Sequence, residues 1–138
     1  MISKNKVLNK IHFIKQQLNM LNKIKDTPEE VFDNNDILIA ASIRYLQISV
    51  EAMIDLANHV CSRNHWGIPK TYGEAFTILH KKGVILEEDL KTYLKMVKFR
   101  NRAVHIYDEM NPREVYLILQ NNLKDFERYI ASITGLLE

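Results

Sequence analysis

Cysteine, proline and glycine are all scarce in this sequence of 138 residues, which holds one cysteine, three prolines and four glycines. The single cysteine, Cys61, excludes an internal disulfide framework and a cysteine-based zinc site, and it is typical of a reducing compartment. The sequence also has no glycine-rich phosphate loop and no serine or cysteine nucleophile motif. Several common classes of catalytic and metal site are thereby excluded.

Strong net charge and long apolar runs are absent as well. The net charge is only +2, so binding to a polyanion would have to depend on a local cluster of basic residues. No apolar run comes near the roughly 20 residues that a membrane-spanning helix needs, and the N-terminal segment is amphipathic rather than a signal peptide. We therefore expect a cytoplasmic protein without a membrane segment.

Apolar residues recur at intervals of three and four along almost the whole sequence, which is the spacing of amphipathic helices. Thr71 and Glu74 form a capping box, and Asn111 with Pro112 marks another helix start. The pattern predicts helices at residues 3–25, 34–65, 72–82, 87–106 and 112–134. No segment alternates with the period of a strand. We therefore predict an all-α fold, an antiparallel bundle of four long helices plus one short helix, as a single domain over residues 1–138.

The most informative stretch is RNRAVHIY, at residues 100–107. It lies late in the predicted fourth helix, within a segment, residues 91–106, that holds five basic residues and no acid. Arg100 is a permanent, fork-shaped phosphate binder, and His105 can take and give a proton near neutral pH. On an ideal helix these two side chains point about 140° apart, so the pair works best if the helix ends or bends near His105. Arg102, three residues from His105, is a competing partner.

Simpler interpretations of these residues remain open. Arg100 and Arg102 would then be solvated, and His105 would be a cation that favours the C-terminal end of the helix dipole. Tyr107 would pack its ring and leave its hydroxyl in water. The functional alternative for Tyr107 is a nucleophile or the acceptor of a modification beside the arginine and histidine.

A polar stripe runs along the predicted second helix. Glu51, Asp55 and His59 recur every four residues and therefore share a face. They could line a cleft opposite the fourth helix, where an acid would orient Arg100 or His105. A metal site has less support, because one helix gives only partial ligation and the sequence has no HExxH pattern. An exposed polar face is the simplest alternative.

The motif and its surroundings resemble the HEPN superfamily of helical-bundle proteins, and within it the HepT-like toxins. Arg100, His105 and Tyr107 match the R-x4-H-x-Y motif of that family position for position. The resemblance covers residues 40–110, and the flanking helices match by pattern only. Outside the motif it rests on these segments: RYLQ at 44–47, EA at 51–52, DLANH at 55–59, IP at 68–69 and YGEAF at 72–76. R-x4-H alone is a weak signal, whereas its combination with Tyr107 and with these segments is specific for the family.

The resemblance implies a metal-independent endoribonuclease that needs no cofactor, usually the toxin of a toxin–antitoxin pair. Its catalytic residues would be Arg100 and His105. In the family, the antitoxin is a minimal nucleotidyltransferase that blocks the toxin by attaching AMP to the motif tyrosine, here Tyr107. RNA and that antitoxin are thus the expected partners. Four further side chains are expected to support the cleft: Asn101, Arg102, Glu51 and Asp55.

RNA carries its own nucleophile, the 2′-hydroxyl, and its cleavage needs a base, an acid and positive charge at the phosphate. One motif histidine per chain leaves one proton-transfer role unassigned. A two-fold dimer would place two Arg100–His105 sets around one cleft, so we predict a homodimer with the fourth helix near its axis. The alternatives are a non-enzymatic helical adaptor that binds nucleotide or the transferase, and a structural dimer in which Arg100 and His105 affect only stability.

Overall fold

The computed structural model describes residues 2–137, and within this range every regular element is helical. Seven α-helices and one 3-10 turn follow one another: α1 (Lys4–Lys25), α2 (Glu29–Asp33), α3 (Asp36–Arg63), α4 (Tyr72–Lys81), α5 (Glu87–His105), the 3-10 turn (Tyr107–Glu109), α6 (Pro112–Asn121) and α7 (Leu123–Gly135). The predicted all-α class is confirmed. The count of long helices differs, because α1, α3 and α5 have 19 to 28 residues whereas the others have 13 or fewer.

The central helix of the bundle is α3, which packs against α1, α4 and α5 and more briefly against α2 and α6. Asn35 caps it by accepting a hydrogen bond from the Leu38 amide at 3.0 Å. Twelve of its residues are buried. Its length and composition alone would let it cross a membrane, which the sequence analysis did not anticipate. Its contacts with the helices on several sides make it the core helix of this bundle.

The predicted fifth helix is broken in two at Asn122. The Asn122 amide still donates to the Ile118 carbonyl at 2.8 Å, which closes α6. Its side-chain amide donates to the Asp125 carboxylate at 2.9 Å, in the first turn of α7. Asparagine is a poor residue for a helix interior, and the helix is interrupted at this position, so the single helix predicted over residues 112–134 was wrong.

A short helix that the spacing did not predict follows α1. With five residues, α2 is much shorter than the window in which helical periodicity can be detected. It places Phe32 in the core, where the Phe32 and Tyr116 ring centroids lie 5.3 Å apart. This contact joins α2 to α6.

Three buried aromatic rings tie α4, α5 and α7 together. The ring centroids of Phe76, Tyr93 and Tyr129 lie 5.2 to 5.7 Å from one another. The Tyr129 hydroxyl donates to the Met53 carbonyl at 2.8 Å, which adds α3 to the cluster. These contacts fix the position of α5 along its first half.

Candidate active site

The motif lies at the C-terminal end of α5. His105 is the last residue of this helix, and Ile106 leaves the helical conformation with φ −136° while its amide still donates to the Arg102 carbonyl at 2.8 Å. The expected helix end near His105 is therefore confirmed. Because α5 is helical from Arg100 to His105, the two side chains leave it about 140° apart. His105 is exposed at this helix end.

Arg100 is held in place by contacts from two other helices. Its Nε donates to Glu51 Oε2 at 3.0 Å, and its Nη1 donates to Asn101 Oδ1 at 3.2 Å. Gln47 Nε2 donates to the same Glu51 oxygen at 3.1 Å. The Arg100 guanidinium carbon lies 5.1 Å from the Tyr72 ring centroid, within the range of a cation–π contact. Only 16% of the Arg100 side chain is exposed.

These contacts leave one edge of the guanidinium open. Within residues 2–137, the Nη2 of Arg100 has no hydrogen-bond acceptor. Arginine binds phosphate through its N–H groups in a planar fork. The Nε edge of Arg100 is thus bound to the protein, and the remaining N–H groups are available to a phosphate oxygen.

Tyr72 reaches Arg100 because of how α4 begins. Thr71 Oγ1 accepts a hydrogen bond from the Glu74 amide at 3.1 Å, and the Glu74 carboxylate accepts one from the Lys70 amide at 3.2 Å. This confirms the helix start predicted from Thr71 and Glu74. Neither Tyr72 nor Gln47 was predicted as a site residue. For Gln47 a local signal exists, since it lies four residues before Glu51 on α3.

His105 and Tyr107 are both exposed. Neither side chain has a hydrogen-bond or ion-pair partner in the part of the chain that the structure describes. Tyr107 is 44% exposed and begins the 3-10 turn, while its neighbours Val104 and Ile106 are 41% and 42% exposed. The end of α5 therefore exposes an imidazole, a phenol and two apolar side chains.

Arg102 is bound on another side of α5. Its Nη1 donates to both carboxylate oxygens of Glu114, at 2.9 and 3.2 Å. Glu114 is in the first turn of α6, which Asn111 caps by accepting from the Arg113 amide at 2.9 Å. The structure thus separates Arg102 from Arg100 and assigns it a partner in α6.

Asp55 lies apart from Arg100, although it shares a polar stripe with Glu51. Its carboxylate pairs with Lys10 Nζ of α1 at 3.1 Å. Each step of four residues turns about 40° around a helix, and this drift carries the stripe from α5 towards α1. The expectation that Asp55 supports the same cleft as Glu51 is therefore corrected by its place against α1.

His59 continues this drift. Its Nε2 lies 3.1 Å from the Ser3 amide, which donates to it. Burial lowers the pKa of His59 from its usual 6.5, and the positive charges of Arg63 and Lys6 lower it further. Within residues 2–137, no three side chains of the histidine, cysteine, aspartate and glutamate types are grouped to hold a metal ion.

Comparison with known proteins gives matches over nearly the whole chain. The model of the ribonuclease HepT-like family matches residues 14–133. The mRNA nuclease HepT of Shewanella oneidensis is 34% identical over 127 residues, which are 92% of this chain and 95% of that protein. The tRNA nuclease HepT of Aphanizomenon flos-aquae is 32% identical over 94 residues, 68% of this chain and 64% of that one.

Solved structures give the same result. The tri-AMPylated Shewanella oneidensis HEPN toxin, solved in complex with its MNT antitoxin, superposes with a TM-score of 0.90 at 32% identity, covering 96% of this chain and 99% of that chain. The cytosolic protein YutE of Bacillus subtilis, 19% identical, has a TM-score of 0.85 over 99% of this chain and 92% of that chain. At this identity, the likeness to YutE concerns the fold alone.

Proposed function

This chain belongs to the ribonuclease HepT-like family, and we propose that it is a metal-independent endoribonuclease toxin with Arg100 and His105 as its catalytic residues. The observation that carries the proposal is the arrangement at the end of α5. Arg100 is fixed through its Nε by Glu51, with phosphate-binding N–H groups left open, and an exposed His105 follows in the last turn of the same helix. The two HepT relatives are named as nucleases of mRNA and of tRNA.

In the proposed reaction, a histidine removes the proton from the RNA 2′-hydroxyl. The 2′-oxygen then attacks the adjacent phosphorus, and the bond to the 5′-oxygen breaks. A second group gives that leaving oxygen a proton. Arg100 stabilises the charge that develops on the non-bridging phosphate oxygens. The products are a 2′,3′-cyclic phosphate and a free 5′-hydroxyl.

The second proton-transfer group is proposed to come from a second copy of the chain. A two-fold axis near the end of α5 would bring two histidines to one phosphate, one as base and one as acid. Val104 and Ile106, partly exposed apolar side chains on either side of His105, support contact with another chain there. Tyr72, 45% exposed beside Arg100, adds to this apolar surface.

We further propose that a nucleotidyltransferase antitoxin silences the protein at Tyr107. The Tyr107 oxygen would lose its proton and bond to the α-phosphorus of ATP, and pyrophosphate would leave. The added phosphate and its bulk would stand two residues from His105 and compete with the RNA backbone. The exposure of Tyr107 makes its hydroxyl accessible, and the solved relative is a tri-AMPylated toxin bound to such an antitoxin. A cytoplasmic location belongs to the same proposal, because RNA and ATP are present there.

The nuclease assignment is tested with purified protein and RNA in EDTA. Wild-type protein and the matched control His12→Ala, which changes an exposed histidine on α1, are expected to cleave. His105→Ala is expected to lose cleavage by at least about 100-fold. Binding without cleavage by the wild-type protein would instead support a non-enzymatic adaptor.

The shared cleft is tested by co-expressing wild-type chains with a ninefold excess of His105→Ala chains. Random pairing leaves about one wild-type chain in ten with a wild-type partner. We therefore expect the activity per wild-type chain to fall about tenfold if both histidines are needed. Full activity per wild-type chain would contradict the shared cleft.

The role of Tyr107 is tested with the transferase and ATP. Tyr107→Phe is expected to stay toxic and to escape modification, whereas Tyr45→Phe, a change at a half-buried ring on α3, is expected to be silenced like the wild-type protein. If the transferase still modifies and silences Tyr107→Phe, another residue is the acceptor.

A further inference from the structure

Four basic side chains lie on one face of α5 and lead towards His105. We propose that this face, which we call the basic track, holds a single strand of RNA and guides it to the catalytic histidine. The proposal rests on the proposed nuclease function and adds the path of the substrate. The basic track consists of Lys91, Lys95, Lys98 and Arg102.

The spacing of these residues gives a straight track. From Lys91 to His105 the residues of the track follow one another at intervals of four, three, four and three. Each residue turns a helix by about 100°, so the five side chains leave α5 within an arc of about 80°. From Lys91 to His105 the helix rises by about 21 Å. A strand stacked as in duplex DNA advances about 3.4 Å along its axis per nucleotide, so this length corresponds to about six nucleotides. Arg100 points away from the track, towards α3 and α4.

The charge of the basic track is largely uncompensated. Lys91, Lys95 and Lys98 are exposed, and none of them has an ion-pair partner among residues 2–137. Only Arg102 is paired, with Glu114. A row of like charges on one helix face costs stability, and a polyanion that lies along it removes that cost. Nucleic acid is the polyanion that the proposed reaction already requires.

An open groove of about 730 Å³ runs beside the basic track. Lys95, Lys98 and Arg102 are among the residues that line it. Its apolar lining residues come from α3, α5, α6 and α7: Leu46, Val50, Met96, Phe99, Ile118 and Phe126. Its polar ones include Glu114, whose charge is paired with Arg102. This volume lies within the range of small-ligand sites. A groove with an apolar floor and a cationic edge fits a nucleotide, whose base is flat and apolar on its faces and whose phosphate is anionic.

A second copy of the chain fits this surface less well. A two-fold interface centred on the basic track would place the same lysines against each other, and like charges in an interface are repulsive. The track therefore lies beside the proposed dimer contact around Val104 and Ile106, where a strand bound to it can still reach His105.

The test measures the salt dependence of RNA binding. In a His105→Ala background, which prevents cleavage, Lys91, Lys95 and Lys98 are all changed to Ala, and the affinity for a single-stranded oligonucleotide is measured from about 50 to 200 mM salt. The slope of the logarithm of the binding constant against the logarithm of the salt concentration is expected to become about 2 less steep. Each of the three lost phosphate contacts contributes about 0.7 to that slope. The control changes Lys4, Lys15 and Lys23, three exposed lysines of α1, and is expected to keep the original slope.

A length series gives a second measurement on the same proteins. Affinity is expected to rise with oligonucleotide length up to about six nucleotides and then level off. In the cleavage-competent protein, the triple lysine change is expected to raise KM about tenfold or more, with a smaller change in kcat.

Several outcomes would overturn the basic track. The first is an unchanged salt slope in the triple variant, and the second is an equal loss of slope in the α1 control. Loss of the dimer, or loss of antitoxin binding with unchanged RNA affinity, would assign this face to a protein partner instead. The two proposals can fail separately. If the wild-type protein does not cleave RNA but the triple lysine change lowers the salt slope, the nuclease is refuted and the track remains an RNA-binding surface. If the wild-type protein cleaves RNA and the salt slope is unchanged, the nuclease stands and the track is refuted.

Discussion

The first half of α5 anchors the helix in the bundle, whereas the second half carries the motif. In the first half, Asp89 binds Arg128 through two hydrogen bonds of 3.0 and 3.1 Å, and the Tyr93 ring is fully buried between Phe76 and Tyr129. In the second half, Arg100 keeps N–H groups open and His105 is exposed. One helix is thus anchored by its first half and presents reactive groups from its last turns.

This difference shows how a small bundle can hold the proposed catalytic pair without a deep pocket. The aromatic cluster fixes the direction of α5, so the motif at its other end needs few contacts of its own. The contacts that it has are directed at Arg100, through Glu51 and Tyr72. Changes in the buried aromatic cluster of the first half should therefore act on stability, and changes in the motif at the end of the helix should act on cleavage.

The largest effect is expected from removal of the Tyr93 side chain. Tyr93→Ala should lower the free energy of unfolding by about 3–5 kcal/mol, because it empties a well-packed site. Tyr93→Phe is the matched control, since it keeps the ring and removes a hydroxyl that is buried without a partner within residues 2–137. Its stability should equal or exceed that of the wild-type protein. Urea denaturation measures both, and a marked loss of stability in Tyr93→Phe would contradict the packing described.

Next in size is the effect of Arg100→Lys on cleavage. Lysine keeps the charge but loses the planar fork and the Nε contact with Glu51, so kcat/KM should fall by about 100- to 1000-fold. The melting temperature should change less than the rate, because lysine keeps the length and the positive charge beside Glu51. Cleavage by the lysine variant at the wild-type rate would show that the fork geometry of Arg100 is not used.

A smaller effect is expected from Glu51→Gln, which keeps the size of the side chain but weakens the contact that fixes Arg100. Cleavage should fall by about tenfold, since a misplaced group loses part of its catalytic effect. Glu30→Gln, a change at an exposed residue of α2, is the control. If kcat is unchanged in Glu51→Gln while stability drops, Glu51 is a structural residue only.

The smallest effect concerns pH and lies outside α5. The pKa of His59 is lowered in the folded protein, so the folded state binds fewer protons than the unfolded state as the pH falls below about 6.5. The stabilising contribution of neutral His59 is fully present above that pH and is lost as the pH drops through the folded pKa. The unfolding free energy of His59→Gln should therefore depend less steeply on pH between about 7 and 5 than that of the wild-type protein. An identical pH dependence in the two proteins would refute this assignment.

Local sequence signals predicted much of this arrangement. Asn111 and Pro112 correctly marked the start of α6, just after the end of α5 at His105. The four-residue spacing placed Glu51 and Asp55 on one stripe. The spacing did not reveal which neighbouring helix each acid would meet, because a 40° drift per four residues matters only once the packing of α1 and α5 is known. The break at Asn122 and the contact of Tyr72 with Arg100 likewise depend on tertiary neighbours. The geometry of the site therefore followed from the packing of helices rather than from the motif.

The most direct test of the account uses a pair of matched oligonucleotides in EDTA. One is RNA, and the other is identical except for a 2′-deoxy sugar at the cleaved position. The account predicts that the wild-type protein cuts the first to a 2′,3′-cyclic phosphate, leaves the second intact, and loses the reaction in His105→Ala. Cleavage of the deoxy oligonucleotide, or cleavage of RNA that stops when EDTA is added, would contradict it.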